Sequence, residues 1–268
     1  MSAVAVSPEL KTLLRRVKLG RCLDTLPERL TLAQTGGMGH AEFLELVLAD
    51  EVTRRETTSA DLRARAAGLD SSMRLELWDD TAKVSFDRAI WNELVSLRFV
   101  ESGHNAVIMG PVGVGKTFLA TALGHIAVRR RHTVHFERCD RLLKRLRASR
   151  LDNSHDVEMR KLLRVDLLII DDFALQPLDP LDTADVYELI VERHRAAATV
   201  ATSNREPIEW LGLMADPLLA QSAIDRLQSA AHELILEGDS YRPRQKPGIS
   251  NQPLDPGPAP RRSSRRRR

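Results

Sequence analysis

Three short stretches carry residue types suited to chemistry on a phosphate. The first, Gly110-Pro111-Val112-Gly113-Val114-Gly115-Lys116-Thr117, fits the spacing G-x-x-x-x-G-K-[ST]. Glycines let a loop wrap closely round an anion, so that successive backbone N–H groups point inward. A helix starting near Lys116 aims the positive end of its dipole at the same point. Lys116 has the reach to bond the β- and γ-phosphates of a nucleotide, and Thr117 offers a hydroxyl to Mg²⁺. The second stretch, Leu167-Leu168-Ile169-Ile170-Asp171-Asp172, is an apolar run ending in two carboxylates. Asp171 is placed to hold Mg²⁺ through water, and Asp172 to orient or deprotonate an attacking water. A second acid of this kind suits a hydrolase. A small-molecule kinase does not need it. The third stretch, Thr199-Val200-Ala201-Thr202-Ser203-Asn204, ends in an amide that could bond a γ-phosphate and the lytic water, although Asn is also a common loop residue.

Such residues need a rigid frame, and the pattern around them supplies one. Apolar runs lie at 106–109, 133–136, 167–170, 199–202 and 233–236, and each of the first four is followed by a helical segment. Near-continuous apolar strands separated by helices predict an open, doubly wound α/β domain with a five-stranded parallel sheet. Before it, Leu10, Leu13, Leu14 and Val17 recur at helical spacing, as do Phe43, Leu44, Leu46, Val47 and Leu48, with a break at Gly36-Gly37-Met38-Gly39. The chain therefore divides into a small all-helical N-terminal domain (1–80), an ATPase domain (81–242) and a tail (243–268). The tail holds six prolines and eight cations and reads as disordered.

The composition fits this reading. Of 268 residues 43% are apolar and only 4% aromatic, so the core must be built from Leu, Val, Ile and Ala. The net charge is +3, but the tail carries +7, which leaves −4 for residues 1–242. Overall basicity is thus no sign of a nucleic-acid-binding body. Cys22 and Cys139 lack CxxC partners and read as two reduced thiols. Neither a secretory leader nor an apolar run of membrane-spanning length is evident, so a cytoplasmic protein with no membrane partner is expected.

The motifs in order, GPVGVGKT, DLLIIDD, TSN, then Ser222-Ala223-Ile224-Asp225-Arg226-Leu227 and Gly238-Asp239-Ser240-Tyr241-Arg242, resemble those of IstB-like ATP-binding proteins. These are AAA+ helpers encoded beside the transposase of a class of bacterial insertion sequence, and are similar to DnaC and DnaA. The resemblance covers roughly residues 8–242. It implies an AAA+ core that uses ATP and Mg²⁺, a homo-oligomer formed with ATP, and binding to duplex DNA without sequence choice. It also implies a cognate transposase as partner, and makes Arg226 the candidate arginine finger of a neighbouring subunit's site. An intramolecular ion pair with Asp225 or another acid is the competing role for Arg226, and Arg242 could also sit near phosphate. Relatives commonly carry Glu where this chain has Asp172, which is one methylene shorter, so water activation could be slower. Arg129–Arg131 form one basic cluster; Arg138, Arg141, Lys144, Arg145, Arg147 and Arg150 form another at helical spacing. Such a stripe could track DNA phosphates or could be a solvated helix face. A DnaC-like helicase loader shares all this chemistry and differs only in its partner. A monomeric P-loop kinase would neither assemble with ATP nor respond to DNA.

Overall fold

The computed structural model describes residues 5–81 and 83–242. The tail, 243–268, lies outside the described residues. The chain opens with helices α1 (Pro8–Arg16), α2 (Leu26–Gly36) and α3 (His40–Ala66). Ser7 accepts from the Leu10 N–H to cap α1, and Gly37, at φ 63°, ends α2 in the left-handed region. A short strand β1 (Val84–Ser85), α4 (Arg88–Ser96) and α5 (Arg98–Glu101) lead to β2 (Asn105–Met109). There follow α6 (Lys116–Arg129), β3 (Val134–Arg138), α7 (Cys139–Ser149), α8 (His155–Leu163) and β4 (Leu167–Asp171). The chain continues through α9 (Pro180–Arg193), β5 (Ala198–Ser203), α10 (Pro207–Trp210), α11 (Pro217–Ser229), β6 (Ala231–Ile235) and β7 (Glu237–Gly238). Helices α9 and α11 start alike, with a capping Asp (Asp179, Asp216) followed by proline, whose missing N–H costs nothing in the first turn.

The main sheet is parallel, in the order β3-β4-β5-β2-β6. Side chains alternate between its faces. Ala106, Ile108, Ile169 and Val200 join one core with α4–α6 and the end of α3 (Ala60, Ala64). Val107, Met109, Leu168, Ile170 and Ala201 join a second core with α7–α9 and α11. The three central strands, β2, β4 and β5, are buried throughout, their apolar residues packed on both faces and their polar ones (Asn105, Asp171, Thr199, Thr202 and Ser203) hydrogen-bonded. The expected doubly wound five-stranded sheet is therefore present. The pair β1–β7 is an addition: an antiparallel two-stranded ladder that ties the segment before α4 to the segment after β6.

Two buried polar groups fasten the sheet. Asn105 donates to Leu227 O and accepts from the Thr199 N–H. Arg193, 2% exposed, donates to the carbonyls of Leu162, Val165 and Ala198 and to the Thr199 hydroxyl, joining the end of α8 to β5.

Candidate functional site

The loop after β2 bends through three glycines with positive φ, at 110, 113 and 115. Two of them explain what covers the loop. A Cβ at Gly113 would lie 2.1 Å from the Ser240 hydroxyl, and one at Gly115 would lie 2.8 Å from the Trp78 ring. The Tyr241 N–H donates to Gly113 O at 2.8 Å, and the Tyr241 hydroxyl donates to Asp79 at 2.9 Å. Segments from before β1 and after β7 thus close over the loop from two sides. Trp78 also meets Phe118 edge to face at 5.3 Å. Val114 is buried, whereas Val112 is exposed.

Helix α6 starts at Lys116, directly behind Gly115. The Lys116 ammonium donates to Gly110 O and Pro111 O, both at 2.7 Å. Burial lowers its pKa, against the pull of Asp172 and Asp171. A cation held by two loop carbonyls is one that an arriving polyanion can draw off.

The Thr117 hydroxyl donates to the Asp171 carboxylate at 2.9 Å, and the Thr202 hydroxyl donates to the same carboxylate at 2.5 Å. Asp171 is buried, and burial raises its pKa in opposition to these two bonds. A buried carboxylate flanked by a hydroxyl is a hard-oxygen donor set of the kind Mg²⁺ takes beside phosphates, so the residues present fit that ion. The glycine cradle, which side chains would block, and the dipole of α6 likewise fit a triphosphate. Asp172 is in the left-handed region, φ 55°. Its N–H donates to Thr202 Oγ1 at 3.0 Å, and its carboxylate is 3.6 Å from the Arg138 guanidinium.

Strand β5 lies between β2 and β4, so its tip stands between the phosphate loop and the acidic pair. Asn204, just past that tip, is exposed and lines a cleft of about 580 Å³ with Gly110 and Pro111. Arg226 is elsewhere. It sits in the last turn of α11, immediately before β6, at the opposite end of the sheet from the loop. One five-residue strand separates the two ends, roughly 16 Å, so Arg226 cannot serve its own chain's phosphate site. Its guanidinium donates to the carbonyl and hydroxyl of Ser222 in its own helix, with no ion pair to Asp225 among the described residues. Arg242 is close enough to Lys116 to help lower its pKa.

The basic stripe on α7 is largely neutralised. Arg138 and Lys144 meet Asp140, Arg145 meets Glu137 and Glu158, Arg147 meets Asp179 and Asp182, and Arg150 meets Asp185. Arg129 and Arg131 likewise pair with Glu76 and Glu56.

Thr202, Trp78, Asp79 and Tyr241 are site residues that motif spacing did not single out. Thr202 opens the TSN motif two positions before Asn204, but no role was read for its hydroxyl.

The sheet order, the glycine loop and the acidic strand tip define a P-loop protein of the AAA+ fold. The sequence profile of the family described as IstB-like ATP binding protein matches residues 12–248, and the chain belongs to that family. It is 38% identical over 242 residues to a Mycobacterium tuberculosis insertion-sequence protein named for ATP binding, covering 90% of this chain and 96% of that one. It is 32% identical over 238 residues to the corresponding IS21 protein of Pseudomonas aeruginosa, covering 89% and 90%. The fold is similar to a DnaA replication initiator bound to AMPPCP and single-stranded DNA (TM-score 0.54, 19% identity, 64% of this chain and 51% of that one). It is also similar to the DnaC helicase loader (TM-score 0.50, 18% identity, 56% and 87%). No helix among the described residues is long and apolar enough to cross a membrane.

Proposed function

We propose that this ATP-binding insertion-sequence protein hydrolyses ATP with Mg²⁺, assembles with ATP on duplex DNA, and assists a transposase in choosing target DNA. The observation that carries the hydrolytic reading is the second carboxylate, Asp172, held beside the Thr117–Asp171–Thr202 array by the bond from its N–H to Thr202.

In this reading the loop 110–117 clasps the triphosphate, and Lys116 exchanges its two carbonyls for phosphate oxygens. Thr117 and, through water, Asp171 would hold Mg²⁺, which would supply charge to offset the phosphates and favour the ionised form of Asp171. Asp172 accepts a proton from, or orients, the attacking water, after parting from Arg138. Asn204 steadies that water and the terminal phosphate. Arg226 completes the site of a neighbouring copy, because its position excludes its own. Residues 1–80 serve as the DNA- and partner-binding unit and 81–242 as the ATPase.

The relatives at 38% and 32% identity are insertion-sequence proteins, which favours transposition over helicase loading. DNA contact would rely on cations in no ion pair among the described residues, Arg141 among them, since most of the α7 stripe is paired. The test is light scattering with ATP and duplex DNA on wild type, Lys116→Ala and Arg226→Ala, together with phosphate release. Wild type should grow and hydrolyse, and both variants should do neither. An Arg226→Ala protein that assembles and hydrolyses normally removes the finger assignment.

A further inference from the structure

Two segments far apart in the chain meet over the phosphate loop. The first, 67–81, is laid along α6, whose first residue is Lys116. Leu69 packs on Gly124, where a Cβ would lie 2.6 Å from it. The His125 ring donates to Asp70 O at 2.8 Å, Glu76 pairs with Arg129, and Trp78 lies against Gly115. Asp79 follows, with one carboxylate oxygen accepting from the N–H and the hydroxyl of Thr81. The second segment, 236–241, lines the loop from its start. The Leu236 N–H donates to Met109 O at 2.7 Å, and a Cβ at Gly110 would lie 2.3 Å from Leu236 O. Ser240 and Tyr241 then reach Gly113, where the loop bends at φ 86°.

We infer that the bond from the Tyr241 hydroxyl to the other Asp79 oxygen is a clasp that keeps the loop in its phosphate-ready bend, so that Tyr241 and Asp79 are positioning residues for nucleotide. The inference rests on the reading of 110–117 as the triphosphate site. Tyr241 grips the loop with its main chain, at Gly113 O, and the facing segment with its hydroxyl, so one residue ties both walls to the loop. The grip takes a loop carbonyl and leaves the loop N–H groups to phosphate. Three glycines make the loop costly to order. A clasp that orders it in the folded protein removes that cost from binding.

Titration calorimetry of the full-length chain with ATP and with ADP tests it. Tyr241→Phe keeps the ring and the main-chain bond to Gly113 and removes the clasp. Asp79→Ser keeps an oxygen for Thr81 but falls short of Tyr241. Each should weaken ATP at least ~5-fold, the fraction of chains with a competent loop having dropped in proportion. The two together should weaken it no further than either alone, as a single shared bond requires. Asp79→Asn, whose amide can donate to the tyrosine oxygen, should bind within about twofold of wild type. ADP should weaken by the same factor as ATP, because the loop amides cradle the α- and β-phosphates that both carry. Far-ultraviolet circular dichroism and a single cooperative melting step should be retained, which separates this outcome from misfolding. A Tyr241→Phe protein that binds ATP as wild type does overturns the inference and leaves the loop as the nucleotide site. Losses that add in the double variant overturn it too, as does a loss confined to ATP, which would put Tyr241 at the terminal phosphate. If Lys116→Ala binds ATP as tightly as wild type, the loop is not the site and both readings fall.

Discussion

The N-terminal helices and the five-stranded sheet are built on different terms. Strands β2, β4 and β5 are buried at every position, whereas α1 has no buried residue. The helical region has a small core around Cys22, Leu26 and Val47, and the last turns of α3 join the larger core through Ala60 and Ala64. Much of what else fixes it is ionic. Glu51 receives Arg54 and Arg55, and Arg55 also donates to Lys18 O, fastening α3 to the turn after α1. Buried strands hold the glycine loop and the acidic tip in one geometry, while the thinly packed helical unit leaves apolar side chains such as Leu13 and Leu44 exposed.

The largest expected effect lies in the sheet. Arg193→Leu strips hydrogen bonds from carbonyls that stay buried, at about 1–3 kcal/mol for each group left unsatisfied. Urea unfolding should show a loss of at least ~3 kcal/mol, as for other broken buried networks. Burial already lowers the Arg193 pKa to about 10. A loss under ~1 kcal/mol would mean that this cross-tie between α8 and β5 contributes no more than a surface pair.

In the helical region the matching change is Glu51→Ala, which frees two arginines that remain partly in water. It should cost roughly 1–2 kcal/mol. The loss should be local. Amide exchange should quicken in α1, α2 and the first half of α3 while β2, β4 and β5 keep their protection. Exchange that quickens equally in the sheet would erase the contrast between the two regions.

This contrast also governs what was legible in the sequence. All five strands of the main sheet announced themselves, the central three by runs buried on both faces and the partly exposed edge strands β3 and β6 by short apolar runs among charged residues. The phosphate loop was legible because its glycines are fixed by backbone geometry. Thr202 was not, since its role arises only when β5 is inserted between β2 and β4. Trp78, Asp79 and Tyr241 reach the loop through the β1–β7 ladder, two residues a side, too short to leave a periodic pattern. The basic stripe on α7 was visible as charge, but apart from Asp140 its acids come from β3, α8, α9 and the loop before α9, so most of its neutralisation was not.

A third change should move stability the other way. Asp171 is a carboxylate whose burial raises its pKa. The folded protein therefore holds that proton more tightly than the unfolded chain does. The stabilisation is present at acid pH and is lost as pH rises through the folded pKa. Asp171→Asn removes the buried charge and can still accept from the two threonines. Without nucleotide it should melt at a higher temperature than wild type at neutral pH, by ~1 kcal/mol in stability, and the two should converge in acid. Its Mg²⁺-dependent ATP hydrolysis should vanish. A variant less stable than wild type at neutral pH would show that the hydroxyl bonds outweigh the cost of burying the charge.

The smallest effect on stability is expected at α1, and that smallness is itself informative. In a packed core, truncating a leucine to alanine costs about 2–5 kcal/mol. Leu13→Ala with Val17→Ala should shift stability by no more than ~0.5 kcal/mol, because both side chains face water in the isolated chain and alanine favours helix. A loss of stability near that of a core truncation would place the stripe inside the fold, and α1 would then be part of the scaffold.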